Sequence, residues 1–528
     1  MSELDVGLHF PIQLADLPQS WDTVYVGEIA TNIQSGFACG RHGDDGVVVP
    51  HMRPMNISRE GKFDHTEIKS VPKDYDDRRL DADDVLFNNT NSPPLIGKTA
   101  VVSPNTAGFA FSNHMTRIKV SEGISPKFAA FQLHFLWSSK YFLHKCVKHV
   151  NQASISSTEL GRSVPFLCPP TNEQRRIVAK IEELFSELDK GIESLKLARA
   201  QLKLYRQSVL KHAFEGKLTA DWREANPDKL EAPETLLARI QAERDARYKQ
   251  QLDDWNHAVI TWRANGEEGK KPRKPRSQAI KESKPSDFDE LGKLPLEWRY
   301  VFLNELSEHI VDGTHKTPTY TDTGVSFISA KDVKDFRIKF DDTRFIDEPQ
   351  HMELSRRCLV KRGNVLLTKS GTIGRVAVVE TDVEFSLFES VANIPLLPPM
   401  EPRFVAMSAF HTIDVFFGAR NQKGVAVRHL HLEDIRLLPI PLMGADEQRE
   451  ISFRLDEVFS EIEHVENTID DGLRRIEALR QSILKQAFSG KLVPQDPSDE
   501  PASALLERIK ANKATATKPR RQRMVHAS

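Results

Sequence analysis

The sequence predicts an α+β protein: two similar mixed α/β domains separated by two long helices that pair as an antiparallel coiled coil, with pseudo-twofold symmetry. Three observations lead there. Residues 173–218 align without a gap on residues 447–492, at a constant offset of 274. Both copies place an aliphatic residue at every seventh position through five heptads. The stretches before the two copies also share a frame of strands and turns. An internal repeat governs every later assignment.

The two copies are most alike near their ends. Arg206 to Leu218 and Arg480 to Leu492 both read Arg-Gln-Ser-x-Leu-Lys-x-Ala-Phe-x-Gly-Lys-Leu, ten of thirteen positions being identical. Asn172 and Asp446 stand where a side-chain acceptor can cap the first free N–H groups. Gly216 and Gly490 stand where the chain must leave the helix through φ > 0. Between them run Ile181, Leu188, Leu195, Leu202 and Val209 in the first copy, and Leu455, Ile462, Ile469, Ile476 and Ile483 in the second. Five aliphatic heptads predict a coiled-coil interface, the alternative being two amphipathic helices docked on separate domains.

Direction follows from the second seam: Leu184, Gly191, Ala198 and Tyr205 in one copy, Val458, Val465, Gly472 and Leu479 in the other. A parallel pair sets Ala198 against Gly472 and leaves a gap in what should be close-packed. An antiparallel pair sets the small residues against Leu or Ile.

The segments in order are a first domain over 1–170, the first long helix over 171–220, a helical and linker insertion over 221–290, a second domain over 291–443, the second long helix over 444–492 and a tail over 493–528. In the first domain Thr23–Val26, Gly46–Val49, Asp84–Phe87, Lys98–Val102 and Val164–Cys168 read as strands and Lys127–Val150 as helical. The insertion predicts a helix from about residue 232 to Ala264, then a flexible linker from Gly266 to Ser286. The linker's Lys270–Arg276 cluster is either solvated or able to touch phosphate. The second domain restarts the first: Leu294-Pro295-Leu296-Glu297-Trp298 repeats Leu17-Pro18-Gln19-Ser20-Trp21, and Ile373-Gly374-Arg375 repeats Ile96-Gly97-Lys98. Residues 501–509 in the tail echo 233–240 with one insertion.

A chain of 528 residues exceeds one core. Its 73 basic and 75 acidic residues, a net charge of −2, argue against coating DNA by bulk charge but leave room for basic faces. No apolar run is long enough to span a membrane, the N-terminus lacks a secretion signal, and Cys39, Cys146, Cys168 and Cys358 form no Cys-x-x-Cys pair, which together predict a cytoplasmic protein. Catalytic motifs are missing: no phosphate loop, no Asp/Asn-Pro-Pro-Tyr/Phe, no His-Glu-x-x-His and no Gly-x-Ser-x-Gly. His429 and His431 lack ligand spacing, so no metal is expected. The chain is expected to bind rather than catalyse.

Polar loops beside the recurrent strands are the binding candidates. Thr368, Lys369 and Ser370, with Arg375, offer hydroxyls and cations suited to phosphate oxygens. Asn88 and Asn89, with Lys98, hold the same place in the first domain, where amides could read adenine edges. Gln152 and Gln422–Lys423 are a second matched pair. The alternative for each is an ordinary hairpin turn.

With this frame laid out, the chain resembles the specificity (S) subunits of type I restriction-modification systems. The residues that carry the likeness are the Glu-Gln-Arg helix starts (Glu173-Gln174-Arg175 and Glu447-Gln448-Arg449), the Phe-x-Gly-Lys-Leu helix ends and the strand–Gly–strand segment Val365–Val379. The resemblance implies that 1–170 and 291–443 are target-recognition domains, each reading half of a split sequence in double-stranded DNA, and that the chain is not itself an enzyme. It implies two modification subunits that bind S-adenosylmethionine and methylate adenine, and restriction (translocase) subunits that use ATP and magnesium, with no cofactor on this chain. A helix from Arg175 to Lys211 would be about 55 Å long and could set the unread spacer. The insertion over 221–290 departs from the family's pattern. A coiled-coil scaffold for proteins, without DNA specificity, is the alternative.

Overall fold

The computed structural model describes residues 7–40, 47–150, 152–275, 280–334, 336–422 and 429–516, and the chain parts into two compact units, Met1–Leu197 with Ile469–Ser528 and Ala198–Thr468. Each unit therefore takes the front of one long helix and the back of the other. The helices run Thr171–Phe214 and Ala445–Phe488.

In the first unit the central antiparallel sheet has the order Ala30–Ser35, Met115–Val120, Val85–Asn88, Thr99–Val101. A second sheet sets Val48–Met52 between Lys69–Pro72, antiparallel, and Ala110–Phe111, parallel. A third pairs Asp22–Tyr25 with Pro165–Cys168. The second unit repeats these three sheets strand for strand and adds a pair of its own, Val333–Lys334 with Arg337–Ile338. Its central sheet has the order Val311–Asp312, Val391–Ile394, Val365–Thr368, Val376–Val378. Val325–Ile328 lies between antiparallel Arg344–Ile346 and parallel Phe385–Leu387. Arg299–Phe302 pairs with Pro439–Leu442. Fully buried central strands such as Val85-Leu86-Phe87 and Val365-Leu366-Leu367 are continuous apolar runs because both of their faces are covered.

Within each unit the two helix segments run antiparallel. In the first unit a Cβ on Gly191 would lie 3.5 Å from Ile476 Cδ1, and one on Gly472 would lie 3.1 Å from Leu195 Cδ1. Small residues thus face Ile and Leu, as antiparallel pairing demands. In the second unit Arg206 Nη2 reaches Glu466 Oε2 at 3.7 Å. All ten heptad residues are buried or half-buried. Ile181, Leu188 and Ile483 join the first unit's core, and Leu202, Val209, Leu455 and Ile462 the second's.

Three expectations need correction. Asn172 and Asp446 lie inside the first turn instead of capping it, because each helix begins two residues earlier than such caps require, at Thr171 and Ala445. The second seam turns outward at Tyr205 and Leu479, which are half exposed, and Phe185 and Phe459 are buried instead. A guanidinium covers each ring at equivalent positions, Arg480 at 5.0 Å over Phe185 and Arg206 at 5.3 Å over Phe459. The apolar stripe must also face a domain, so it is wider than a two-seam coiled coil. Finally, Lys127–Val150 is not helical throughout: helices end at Lys145 and a strand, Val147–Lys148, follows.

The repeated motifs of the sequence meet one another in a junction built twice. In the first unit Trp21 Nε1 donates to Glu173 at 3.0 Å, and Pro18 packs so tightly on Gly490 that a Cβ there would come within 2.4 Å of its ring. In the second unit Trp298 Nε1 donates to Glu447 at 2.9 Å, and Pro295 blocks a Cβ on Gly216 at 2.3 Å. Both glycines also have positive φ, +68° and +74°, so glycine is required twice over. Gln174 and Gln448 repeat the same pair of bonds. Each side-chain oxygen accepts a backbone N–H, from Ser125 (2.8 Å) or Glu401 (3.1 Å), and each NH2 donates to the chain before the helix, to Pro169 or Met443. Phe488 stacks on Phe135 and meets Phe128 edge-on, and Phe214 meets Phe404 likewise. Burying one such ring contributes about 2–3 kcal/mol. The Phe-x-Gly-Lys-Leu end of each helix is thus a plug for the domain that carries the opposite helix's start.

Most of the insertion also has a counterpart. Helix Pro233–Ala264 buries Leu236 and Ile240 as helix Ala502–Ala516 buries Leu505 and Ile509. Arg244 Nη2 donates to Glu305 O at 2.6 Å and Lys513 Nζ to Glu28 O at 2.7 Å, each tying off one short helix, Leu303–Leu306 or Val26–Ile29. Among the described residues, the short helix Ala220–Ala225, the last turns before Ala264 and the segment after them have no counterpart.

Candidate nucleic-acid interface

Two loops that are far apart in sequence come together in each unit. In the first, Thr90–Asn91 pairs with Ala153–Ser154, which pairs with Val147–Lys148. The Asn88–Ser92 loop and the hairpin carrying Gln152 therefore form one small sheet. In the second, Ser370 bridges His429 and Leu430 N donates to Lys369 O at 2.8 Å. The loop after Thr368 thus lies beside the chain that follows residues 423–428.

The turn at the end of the central strand is the same object in both units. Asn88 N donates to Lys98 O and Gly97 N to Asn88 O, both at 2.9 Å; Thr368 N donates to Arg375 O at 2.8 Å and Gly374 N to Thr368 O at 2.9 Å. Glycine is needed because a Cβ on Gly97 would strike Phe142 at 2.1 Å and one on Gly374 would strike Ile413 at 2.7 Å, both at positive φ.

This geometry turns four of the nominated side chains inward. Asn88 Nδ2 donates to Leu95 O at 2.9 Å. Asn89 Nδ2 donates to Thr116 Oγ1 at 2.7 Å and to Asn113 O at 3.1 Å. Thr368 Oγ1 donates to Thr372 O and accepts Arg375 N at 2.9 Å. Lys98 Nζ donates to Ile57 O, and burial, with Arg59 nearby, holds its ammonium below the ordinary lysine range. As direct DNA contacts, Asn88, Asn89, Lys98 and Thr368 are corrected: all four are buried and their donors are spent on shaping the loops, with Asn88 Oδ1 alone left without a partner. Lys369 is largely spent too, its Nζ 3.0 Å from Asp312 Oδ2.

Of the others, Gln152 is exposed, Ser370 and Arg375 are half-buried, and Gln422 closes the helix Pro402–Gln422. Lys423 lies outside the described residues, as do Asn151 and Arg276. Beside Gln152 the hairpin exposes Lys148 and His149. Beside Ser370 the surface holds Gly371, Thr372 and His429.

The sequence reading missed Asp312. Its buried carboxylate gathers Arg357 Nη2 at 2.6 Å, Lys369 Nζ at 3.0 Å and His315 Nε2 at 3.0 Å, from three different loops. Arg357 and His315 remain half exposed, so the hub presents a guanidinium and an imidazole while holding its carboxylate inside. No spacing in the sequence announces such a hub; its members are 3, 45 and 57 residues from Asp312. The surfaces in both units offer amides, hydroxyls, imidazoles and cations on turns braced by a sheet. That is equipment for phosphate oxygens and base edges. Among the described residues no group of His, Cys, Asp and Glu could hold a metal ion, and no helix is long and apolar enough to cross a membrane.

Residues 18–196 match the family model described as type I restriction modification DNA specificity domain. The chain is 25% identical over 540 residues to the type I restriction enzyme EcoKI specificity subunit of Escherichia coli (strain K12), covering 95% of this chain and 97% of that one. It is 25% identical over 382 residues to the EcoBI specificity subunit of Escherichia coli, covering 70% and 68%. A chain from a solved type I R-M system, from work on its complex assembly and conformational transition, superposes with a TM-score of 0.61 over 91% of this chain and 100% of its own, at 17% identity. Together with the doubled domain and helix plan, these place the chain among the specificity subunits of type I restriction-modification systems, the non-catalytic subunits that recognise DNA sequence.

Proposed function

We propose that the two units read the two halves of a split target in double-stranded DNA, and that the chain directs adenine methylation and cleavage carried out by partner subunits. The observation that carries this reading is the repetition of three sheets in the same order and sense, with different loops at equivalent turns. Two readers of one design but unlike surfaces suit two unlike half-sites. Gln152, Lys148 and His149 in one unit, and Ser370, Arg375, Arg357, Gln422 and Lys423 in the other, are the proposed DNA contacts. The proposed partners are two modification subunits carrying S-adenosylmethionine and restriction (translocase) subunits carrying ATP and magnesium, in the cytoplasm. Nothing in the family matches favours a protein scaffold without DNA specificity.

The test is a domain exchange. Residues 22–163 are replaced by the equivalent segment of a specificity subunit with a different target, and the methylated motif is read by sequencing host DNA. One half of the motif should change while the other half and the spacer stay. A change in both halves, or in neither, overturns the two-reader model.

A further inference from the structure

The part of the insertion without a counterpart has a definite structure. After helix Pro233–Ala264 the chain reverses at Gly266 and Gly269, both at positive φ, and runs back along the helix. Two indoles pin it: Trp262 Nε1 donates to Gly269 O at 3.3 Å and Trp255 Nε1 to Pro272 O at 3.1 Å. Lys271 Nζ lies 6.0 Å from the Trp262 ring centroid and Lys274 Nζ 5.8 Å from that of Trp255. The tryptophans are seven residues apart, about 10.5 Å along a helix. The two pinned carbonyls, of Gly269 and Pro272, are three residues apart, and an extended chain of that length spans about the same distance. A polyproline-like strand repeats every three residues. Lys271 and Lys274 therefore share the face over the indoles and Lys270 and Arg273 share another, all four being exposed.

Among the described residues none of these four cations is ion-paired, and the carboxylates of Glu267 and Glu268 belong to the turn before Gly269. A merely solvated charge run needs no pinning. Here two large aromatic side chains fix the backbone and leave a row of cations about 9 Å apart, roughly the rise of three base pairs.

We propose that Gly269–Pro275 is a preformed contact for the phosphate backbone of duplex DNA outside the read bases. A polyanion with regular charge spacing suits a rigid cationic strap, and ordering the strap in advance lowers the entropy lost on binding. The proposal rests on the chain being a DNA reader.

The test uses the chain assembled with its partner subunits and measures affinity for target and non-target duplexes from 50 to 200 mM salt. Lys270→Ala with Arg273→Ala should reduce the salt slope by about 1.8, at about 0.9 per phosphate contact, so the fall in affinity across that range becomes about twelvefold smaller. The loss should be equal on both duplexes, and the methylated motif unchanged. Trp255→Leu with Trp262→Leu leaves every charge in place and should weaken binding about three- to tenfold through lost preorganisation. Unchanged slope and affinity in the charge variant would overturn the proposal. So would a variant that binds DNA normally but no longer assembles, which would make the strap a protein-docking element. Absence of target preference in the unaltered complex would instead count against sequence reading itself.

Discussion

Replacing Glu447 by Ala should destabilise the Ala198–Thr468 unit by about 3–5 kcal/mol, the cost of breaking a buried ion pair. Glu447 is 2% exposed. Its carboxylate accepts Trp298 Nε1 at 2.9 Å, Thr219 Oγ1 at 2.7 Å and Arg223 Nη1 at 2.6 Å. All three donors give to one carboxylate, so each bond is charge-assisted, and truncation removes all three while leaving the guanidinium without its partner. Arg223 is only 13% exposed and stacks 5.3 Å over the Trp298 ring, so its guanidinium cannot swing into water without abandoning the junction. Glu447→Gln keeps the shape but turns an NH2 toward one of three donors, and should cost less. In Glu447→Ala with Arg223→Met no orphaned cation remains, so the double change should cost less than the sum of the single ones. Native-state hydrogen exchange resolves the unit: the amides of Arg299–Phe302, Ile440 and Leu442 should lose protection, while those of Asp22–Tyr25 and Phe166–Cys168 serve as the internal control. A loss below about 1 kcal/mol, or additive single changes, would refute the reasoning.

The equivalent carboxylate differs in its surroundings. Burial raises the Glu173 pKa above the ordinary 4.5, with hydrogen bonds from Gln495 and Trp21 only partly opposing it. A raised carboxyl pKa means that the folded state holds the proton more tightly. The unaltered protein should therefore gain stability over Glu173→Gln as pH falls from the folded pKa toward 4.5. Denaturant midpoints of the two proteins across that window check it, and the opposite slope would refute it. Four residues inserted into one long helix, near Ala198, should lengthen the unread spacer of the methylated motif; an unchanged spacer in sequenced host DNA would reject the helix pair as its measure.

Much of the architecture was legible because it was written twice. The 274-residue offset identified both long helices, and the seam glycines gave their direction, since Gly191 and Gly472 can fill space only opposite Ile476 and Leu195. Repeated strands such as Asp84–Phe87 and Asn364–Thr368 were visible as apolar runs between turn residues. The candidate site was legible only to the level of the loop. Asn88 and Thr368 were found because they recur, yet recurrence marked them as the turn's scaffold rather than its surface.

By itself, the sequence determined the duplication, the pairing direction and the family, because these rest on period and spacing, which are local. The tertiary structure alone decided that the Leu-Pro-x-x-Trp, Glu-Gln-Arg and Phe-x-Gly-Lys-Leu motifs are three parts of one junction. It alone showed that Asp312 gathers three loops, and that an apparent linker is a pinned strap. Each depends on which distant residues share a few ångströms, and a polar side chain's role is set by whether burial leaves its hydrogen bonds inside the fold or free for a partner.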